Sequence, residues 1–316
     1  MAGTPPPPPP PLDINPPLIN TACPWATTLS DLRLLYACPS TGAVTTRTSL
    51  LDGFPHDDAL HQFAFFHPSP TTNSNPTASL NTLGYSPLSL STYLSFIKTI
   101  SDSLPAPSGK GFIVSVTGTP DDIAACYSLI LAAAREVQFP LAMEINLSCP
   151  NIPDRPPPAY SQASLAEYLD SVKRAVEEGG DVRIPVGVKT PPYTYATQFM
   201  GLVDALEEAA GGEGGVCPIS FITATNTLGS CLLFNSSQGG SGHNTPALPG
   251  QGIGGMAGAP LHPLALGNVA TIRRLLDEKG EGLGHVRVIG GGGEGGGGGG
   301  GGGWGEGVGG EGGGGF

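Results

Sequence analysis

The sequence has little positive charge and no long hydrophobic run, and both shortages exclude classes of protein. Lysine and arginine contribute 14 of the 316 residues against 26 aspartates and glutamates, so the formal net charge is −12. An acidic chain of this kind is a poor partner for nucleic acid or for an anionic membrane. No apolar stretch approaches the roughly 18 residues of a spanning helix. We therefore expect neither nucleic-acid nor membrane partners.

The cysteines and histidines also lack the spacing of a metal centre. The six cysteines follow neither a zinc pattern nor a small disulfide framework, and His56, His61 and His67 are predicted to lie in a loop. Unpatterned thiols are typical of a reducing compartment. The N-terminus shows neither a signal peptide nor an arginine-rich transit segment. The sequence thus predicts a cytoplasmic protein without a metal.

Proline and glycine are abundant instead, and they concentrate at the two ends of the chain. The sequence holds 33 prolines and 49 glycines. Residues 1–17 include the proline run Pro5 to Pro11, which favours an extended tail with no core to join. Residues 294–316 are almost all glycine, which has high chain entropy and little apolar surface. We predict two disordered tails around one domain at residues 18–293.

Between the tails, apolar runs of strand length alternate with helical patterns. Gly111–Thr117 is rich in β-branched and aromatic residues, as strands are. Leu165, Leu169, Val172 and Val176 recur at three- and four-residue spacing, which indicates a helix. Alternation of this kind over residues 42–290 predicts an α/β fold with a parallel sheet, and a (β/α)8 barrel places its active site at the strand ends.

The stretch Glu144–Asn151 places polar side chains directly after one predicted strand. Asn146 and Asn151 are carboxamides that offer both donors and acceptors to a planar polar ligand. Cys149 lies between them, and a thiol with a tuned pKa can take a proton from carbon. The alternative is a proline-punctuated loop with a half-buried cysteine.

Residues 146–151, Asn-Leu-Ser-Cys-Pro-Asn, resemble the active-site loop of the dihydroorotate dehydrogenases, in the soluble, fumarate-using branch whose base is cysteine. Other strings resemble the family in the same order along the chain. They are residues 79–85 (Ser-Leu-Asn-Thr-Leu-Gly-Tyr), 187–193 (Gly-Val-Lys-Thr-Pro-Pro-Tyr), 226–229 (Asn-Thr-Leu-Gly), 251–255 (Gln-Gly-Ile-Gly-Gly) and the glycine turn at 290–293.

The resemblance implies an FMN-dependent oxidoreductase that converts (S)-dihydroorotate to orotate in pyrimidine (UMP) biosynthesis, with fumarate as acceptor, and that forms a homodimer. It implies that Cys149 is the catalytic base. The implied substrate-binding residues are Asn81, Leu83, Gly84, Tyr85, Asn146, Asn151, Asn226 and Thr227. The implied FMN-binding residues are Ala22, Arg47, Lys189, Gly254, Gly255, Gly290, Gly291, Gly292 and Gly293.

The chain departs from the family at three places. Cys23-Pro24 stands where the family has a small pair, and Arg47 stands where it has a lysine. The family continues after its glycine turn with a helix, an eighth strand and a final helix, for which residues 294–316 offer no counterpart. The expectation is a barrel lacking its eighth strand and last helices. The quinone-dependent branch, a dihydropyrimidine dehydrogenase-like flavoenzyme and an inactive truncated barrel stay open as alternatives.

Overall fold

The computed structural model describes residues 8–68, 76–152, 156–211, 215–235 and 245–292. Their strands form two sheets, one with six parallel strands and one with four antiparallel strands. The described strands are β1 (Ala43–Thr45), β2 (Phe63–Phe66), β3 (Ala78–Asn81), β4 (Gly111–Val116), β5 (Leu141–Asn146), β6 (Val186–Thr190), β7 (Phe221–Ala224), β8 (Leu228–Leu232), β9 (Ile253–Gly258) and β10 (Arg287–Gly290).

The parallel sheet has the order β1-β4-β5-β6-β7-β10, and both of its faces are covered. Successive side chains of a strand point to opposite faces. Val114 and Ile145 belong to a large apolar cluster that also contains helix residues. Ile113 and Phe221 belong to a second, smaller cluster that also holds Leu12. A parallel sheet covered on both faces in this way has the arrangement of a (β/α)8 barrel wall.

Helices connect the parallel strands, and local sequence explains where they begin. Thr28 and Thr119 each accept a hydrogen bond from the third residue of the following helix, whose aspartate bonds back to the threonine peptide. The cap of the first helix is therefore Thr28. The α-helices of the described ranges are α1 (Leu29–Ala37), α2 (Leu90–Asp102), α3 (Pro120–Ala134), α4 (Gln162–Glu178), α5 (Ala196–Ala210) and α6 (His262–Glu278).

The strand predicted at Gly111–Thr117 is β4, and the helix predicted from Leu165, Leu169, Val172 and Val176 is α4, so both predictions are confirmed. Among the described helices none combines the length and the apolar character needed to cross a membrane.

The antiparallel sheet, ordered β2-β3-β9-β8, corrects several predictions. The sequence suggests that Ser79–Asn81 ends a barrel strand, but β3 pairs antiparallel with β2 and β9. The predicted loop from Leu51 to Phe66 contains β2, and the predicted glycine loop at residues 251–255 enters β9. Apolar runs of four residues have the same pattern in either sheet, so the sequence alone does not assign them.

The two edges of the parallel sheet differ. At β1, Ile19 forms a parallel bridge with Ala43, and the Asn20 side chain bonds both peptide groups of Thr45, at 2.6 Å and 3.0 Å. At β10, no other described strand pairs on the side away from β7. The sheet is therefore an incomplete (β/α)8 barrel with a gap between the Ile19 segment and β10, as the sequence predicts.

The N-terminal segment packs against the base of the sheet. Leu12 is buried, and its carbonyl accepts a hydrogen bond from Arg287 Nη1 at 2.8 Å. The predicted tail at residues 1–17 is therefore packed in part. From Leu12 onward, this segment covers apolar surface at the base of the sheet, and that burial is favourable. Residues 1–7 and 293–316 lie outside the described ranges, so the predicted tails there stay predictions.

Candidate functional site

The candidate site lies at the carboxyl ends of the parallel strands. β5 ends at Asn146 and leads into the Cys149 turn, while Lys189 stands beside Asn146 in the register of β6. β7 leads to Asn226 in the same way. Because neighbouring residues of parallel strands face the same side, Asn146 and Lys189 both point into the barrel interior.

The carboxamides of Asn146 and Asn226 are fixed in orientation by peptide groups. The Ser148 N–H donates to Asn146 Oδ1 at 3.2 Å, and the Thr227 N–H donates to Asn226 Oδ1 at 2.8 Å. A peptide N–H can only donate, so each contacted side-chain atom must be the oxygen. Asn226 Nδ2 then donates to Asn146 Oδ1 at 3.2 Å and to Ser148 Oγ at 2.9 Å, which uses both of its hydrogens.

Asn81 and Asn151 form a second pair with equally determined orientations. Asn81 Oδ1 accepts from the Leu83 N–H at 3.1 Å, and Asn81 Nδ2 donates to the Gly255 carbonyl at 3.2 Å. Asn151 Nδ2 donates to Asn81 Oδ1 and to the Leu83 carbonyl, both at 2.9 Å. The peptide of Leu83, predicted to bind substrate directly, is thus used to hold these two side chains.

These bonds leave a small, defined set of polar groups for a ligand. Within the described residues, Asn81 and Asn146 each retain one N–H, and Asn151 retains its carboxamide oxygen. Two donors and an acceptor with fixed orientations suit a planar ring that carries carbonyl and N–H groups.

The Cys149 thiol is half-buried in the turn after β5. Burial raises the pKa of this thiol, while the Asn151 peptide N–H and the charges of Lys189 and Arg47 act to lower it. Two cations that act on a thiol help it to hold a negative charge, so Cys149 is a candidate for the predicted general base.

Lys189 is buried without a bonding partner among the described residues. Its side chain is 3% exposed, and its ammonium makes no hydrogen bond or ion pair there. Burying an unpaired charge is costly, so such a lysine is normally paired or bound to a ligand. The position favours an acceptor group that the described residues do not supply.

Arg47 is tied to the loop that follows β3. Its Nη2 donates to the carbonyls of Gly84 and Tyr85 at 3.2 Å and 3.1 Å. The structure therefore brings Arg47 together with Gly84 and Tyr85, and its guanidinium secures this loop. A direct contact of Arg47 with a flavin stays a prediction.

The predicted glycines fall into two separate groups. A Cβ on Gly254 would lie 2.4 Å from the Asn81 carbonyl oxygen, and one on Gly255 would lie 2.3 Å from Thr227 Oγ1. Both glycines therefore allow close approach of β9 to Asn81 and Thr227, on the side of the amides.

The second group lies between the N-terminal segment and α6. The Thr225 N–H donates to the Gly291 carbonyl, and a Cβ on Gly291 would lie 3.3 Å from the Thr21 side chain, next to Ala22. Gly292 has φ +100° and adjoins Ala265 in the first turn of α6. Peptide groups beside a helix start suit an anionic group. Gly290 precedes this turn, and Gly293 lies outside the described residues.

Sequence reasoning missed several polar residues that support the site. Asn20 clamps β1, and Thr48, Ser115 and Thr223 join the buried carboxylate of Glu144 in a network beneath Asn146. Glu144 had a usable signal, because it is a charged residue inside an otherwise apolar strand. The hydroxyls had none, since serine and threonine also occur in strands with no special role.

Comparisons with known proteins agree with this geometry. The model of the dihydroorotate dehydrogenase family matches residues 62–297. The dihydroorotate dehydrogenase (fumarate) of Trypanosoma cruzi is 29% identical over 264 residues, which cover 83% of this chain and 73% of the relative. The enzyme of the same name from Kluyveromyces lactis is 26% identical over 226 residues, which cover 72% and 62% respectively.

Solved structures show the same fold. Ligand-free DHODH from Eimeria tenella gives a TM-score of 0.57 at 15% identity, covering 87% of this chain and 72% of that chain. The complex of that enzyme with ferulenol gives 0.55 at 16% identity, covering 88% and 69%. This chain thus spans between 62% and 73% of the lengths of these four relatives.

Proposed function

This chain belongs to the dihydroorotate dehydrogenase family, whose members are oxidoreductases acting on CH–CH groups, and from that premise we propose that it oxidises (S)-dihydroorotate to orotate with FMN. Fumarate is the proposed acceptor that reoxidises the cofactor, by analogy with the fumarate-dependent relatives. The proposed role is in pyrimidine (UMP) biosynthesis.

The residues at the strand ends fit a flavin mononucleotide. Lys189 is a buried ammonium without a partner among the described residues, and Thr225 Oγ1 is a buried hydroxyl in the same situation. Gly291 fixes the turn, because its N–H donates to the Ala224 carbonyl and its own carbonyl accepts from Thr225, and Gly292 lies beside the first turn of α6, where a phosphate is favoured. We assign these four residues, with Ala22 and Gly290, to the cofactor side of the site.

When bound, FMN supplies the two-electron acceptor that this chain's own side chains lack. The protein contributes charge and position. Lys189 holds a positive charge at the strand ends, which stabilises negative charge that develops nearby during the reaction. Gly254 and Gly255 stay proposed for the cofactor, and their lack of a side chain also lets β9 approach Asn81 and Thr227 closely.

The observation that carries the proposal is the set of oriented amides beside Cys149. Dihydroorotate has ring carbonyls, ring N–H groups and a carboxylate. The remaining N–H groups of Asn81 and Asn146 suit its oxygens, and Asn151 Oδ1 suits a ring N–H. Asn226 holds Asn146 and Ser148, so its proposed role is to fix the substrate amides.

Cys149 is the proposed base. Dihydroorotate loses two hydrogens when its ring C–C bond becomes a double bond, and one of them leaves as a proton from the carbon next to a carbonyl. The Cys149 thiolate accepts this proton and becomes a neutral thiol. Lys189, Arg47 and the Asn151 N–H support the thiolate against the effect of burial.

The proposed assembly is a cytoplasmic homodimer. Exposed apolar side chains on the antiparallel sheet support an interface between copies, since large apolar patches mark interaction surfaces. Those side chains are Phe63, Phe65, Leu232 and Ile253.

The test is anaerobic mixing of the FMN-loaded protein with dihydroorotate. We expect the flavin absorbance to bleach, and we expect Cys149→Ala to slow bleaching by roughly 10²–10⁴-fold while FMN stays bound. Cys149→Ser should keep some rate at high pH. Cys38→Ala, which removes another half-buried thiol at the end of α1, should match the parent. A Cys149→Ala protein that bleaches at the parent rate would refute the assignment.

A second candidate is a barrel that binds FMN too weakly for catalysis. The observation in its favour is the edge of β10, which no other described strand covers on the side away from β7. A purified chain without flavin, and without flavin uptake on addition of FMN, would favour this candidate.

A further inference from the structure

We infer that Glu144 positions the carboxamide of Asn146 through a directed chain of two hydroxyls, Ser115 and Thr48. The inference rests on the proposed function in one respect, namely that Asn146 binds the substrate. Glu144 itself lies below the site and touches neither substrate nor cofactor in this account, so it is a positioning residue.

Glu144 is a buried carboxylate on the inner face of the sheet. It is 2% exposed and lies two residues before Asn146 on β5. Its Oε1 accepts a hydrogen bond from Ser115 Oγ at 2.9 Å, and its Oε2 accepts one from Thr223 Oγ1 at 2.7 Å. Both hydroxyls are therefore donors to the side chain of Glu144.

The direction of the hydrogen bond to Glu144 determines the direction of the next hydrogen bonds along the chain of hydroxyls. Ser115 has a single hydroxyl hydrogen, which it gives to Glu144. The contact of 2.9 Å between Ser115 Oγ and Thr48 Oγ1 therefore has Thr48 as donor. Thr48 has then given its own hydrogen away, and it must accept from its other neighbour, Asn146 Nδ2, at 2.9 Å.

The opposite end of the Asn146 amide gives the same answer independently. Its Oδ1 accepts from the Ser148 N–H at 3.2 Å and from Ser148 Oγ at 2.8 Å. The hydrogen bonds that start at the Glu144 carboxylate and the hydrogen bond from the Ser148 N–H thus identify the same atom of the Asn146 side chain as the nitrogen. One Asn146 hydrogen is committed to Thr48, and the second remains for a ligand.

The side chains of this hydrogen-bonded chain are shielded from bulk water. Thr48, Ser115, Glu144 and Asn146 are each no more than 6% exposed. An unmet donor in such a place carries its full desolvation cost. Removing one hydroxyl therefore leaves the Asn146 N–H or the carboxylate without a partner.

Glu144 and Lys189 lie on adjacent strands and face the interior. Glu144 pairs in register with Gly187, and Asn146 pairs with Lys189. No ion pair joins the two side chains in the described structure, so Ser115 and Thr223 are the hydrogen-bond donors that the described residues supply to the carboxylate.

The experiment compares variants that break the hydrogen-bonded chain with control variants that keep it intact. Ser115→Ala and Thr48→Val remove one hydroxyl of the chain. Thr223→Val removes the other hydroxyl bound to Glu144 and leaves the chain intact, and Thr48→Ser restores the hydroxyl. The first readout is the orotate dissociation constant of the purified full chain with FMN added. The second is the side-chain amide signal of Asn146 in a ¹H–¹⁵N spectrum, assigned by its loss in Asn146→Asp.

We expect Ser115→Ala and Thr48→Val to weaken orotate binding about tenfold and to shift the Asn146 amide signal. Thr223→Val and Thr48→Ser should stay within about twofold, with the amide signal in place. Equal losses in Ser115→Ala and Thr223→Val would overturn the inference, because Glu144 would then act on packing in general. An Asn146 signal unchanged in both chain-breaking variants would overturn it too. If the parent fails to bind orotate, the proposed function fails, and the amide signals still decide the inference.

Discussion

Four asparagine side chains define the polar part of the site, and each is oriented by a peptide group. The Leu83, Ser148 and Thr227 N–H groups donate to Asn81, Asn146 and Asn226 respectively, and the Leu83 carbonyl accepts from Asn151. The chemistry of the site at the residue scale is therefore mostly prearranged by the backbone, which lowers the entropy lost when a ligand binds. The thiol and the two cations are the groups whose behaviour depends on pH and on ligands.

The first prediction at this scale concerns pH. Burial raises the pKa of Cys149, and the base must be the thiolate, so the rate of flavin reduction should increase with pH through a value above the ordinary thiol pKa of about 8.5. Arg47→Ala removes a charge that lowers this pKa, so the profile should move to higher pH. Stopped-flow reduction at a series of pH values measures both.

Arg47→Lys is the matched control for that experiment. It keeps the positive charge, so its pH profile should stay near that of the parent, although it loses the planar contact with Gly84 and Tyr85. Identical profiles for the parent, Arg47→Ala and Arg47→Lys would place Arg47 electrically outside the site.

The second prediction concerns Lys189 and the cofactor. Lys189→Ala removes the buried ammonium that lacks a partner in the described structure, so FMN should bind at least tenfold more weakly. Lys98→Ala, which alters an exposed lysine paired with Asp102 on α2, should bind FMN like the parent. Flavin fluorescence titration gives both constants, and equal constants would make Lys189 a bystander.

The sequence predicts the site residues that belong to a motif. It does not predict the residues that come together only when the chain folds. Asn81, Asn146 and Asn226 stand in strings with family order. The pairing of Thr48 with Ser115 joins positions 67 residues apart, and no local pattern marks it. The separation of Gly254 and Gly255 from the turn at Gly291 also depends on which sheet each strand enters.

At the scale of elements, the fit between β6 and β7 depends on one glycine. A Cβ on Gly187 would lie 2.3 Å from the Phe221 ring, which is fully buried on the adjacent strand. The small residue thus makes room for the large one on the inner face of the sheet. Helix α5 contains a glycine with no such neighbour, since a Cβ on Gly201 would meet nothing closer than 3.8 Å.

These two glycines give predictions of opposite sign. Gly187→Ala should lower the free energy of unfolding by about 1–3 kcal/mol, because the added methyl displaces the Phe221 ring. Gly201→Ala should raise it by up to about 1 kcal/mol, because alanine favours the helix. Urea unfolding of the two variants and the parent measures both. A neutral or stabilising Gly187→Ala would show that the sheet relaxes around the methyl.

Element types were predictable where periodicity is long, and sheet membership was not. Helices such as α3 and α4 span at least 15 residues and carry their caps in the sequence. The sequence suggests a barrel strand at both β3 and β4, yet β3 is antiparallel and only β4 lies in the parallel sheet. The deciding factor is the partner strand, which a single sequence does not display.

At the scale of the molecule, the gap beside β10 dominates. A (β/α)8 barrel closes only when its last strand pairs with its first, and closure removes the exposed peptide groups of both edges. Here Ile19 extends the edge at β1, while β10 is left open in the described structure. Folding is favoured by only about 5–15 kcal/mol in a typical domain, so this edge is significant.

The prediction at this scale is that the present chain is poorly soluble and carries little FMN. Replacing residues 294–316 with the helix, strand and helix of a family member should raise both solubility and the flavin-to-protein ratio. The same replacement with a proline in the middle of the added strand should not, because it loses a ladder hydrogen bond. A present chain that purifies with near-stoichiometric FMN would contradict the prediction.

The hydrogen bond between Arg287 and the Leu12 carbonyl joins two residues that the ribosome makes at very different times. The two residues are 275 positions apart. A ribosome adds about 5–20 residues per second, so the Leu12 segment waits about 14–55 s before its partner has been made. Meanwhile Leu12, Ile14 and Ile19 have only part of their apolar cluster, because Phe221 and Ile289 come late in the chain. The nascent N-terminal segment is therefore the part of this protein that chaperones have the longest time to bind.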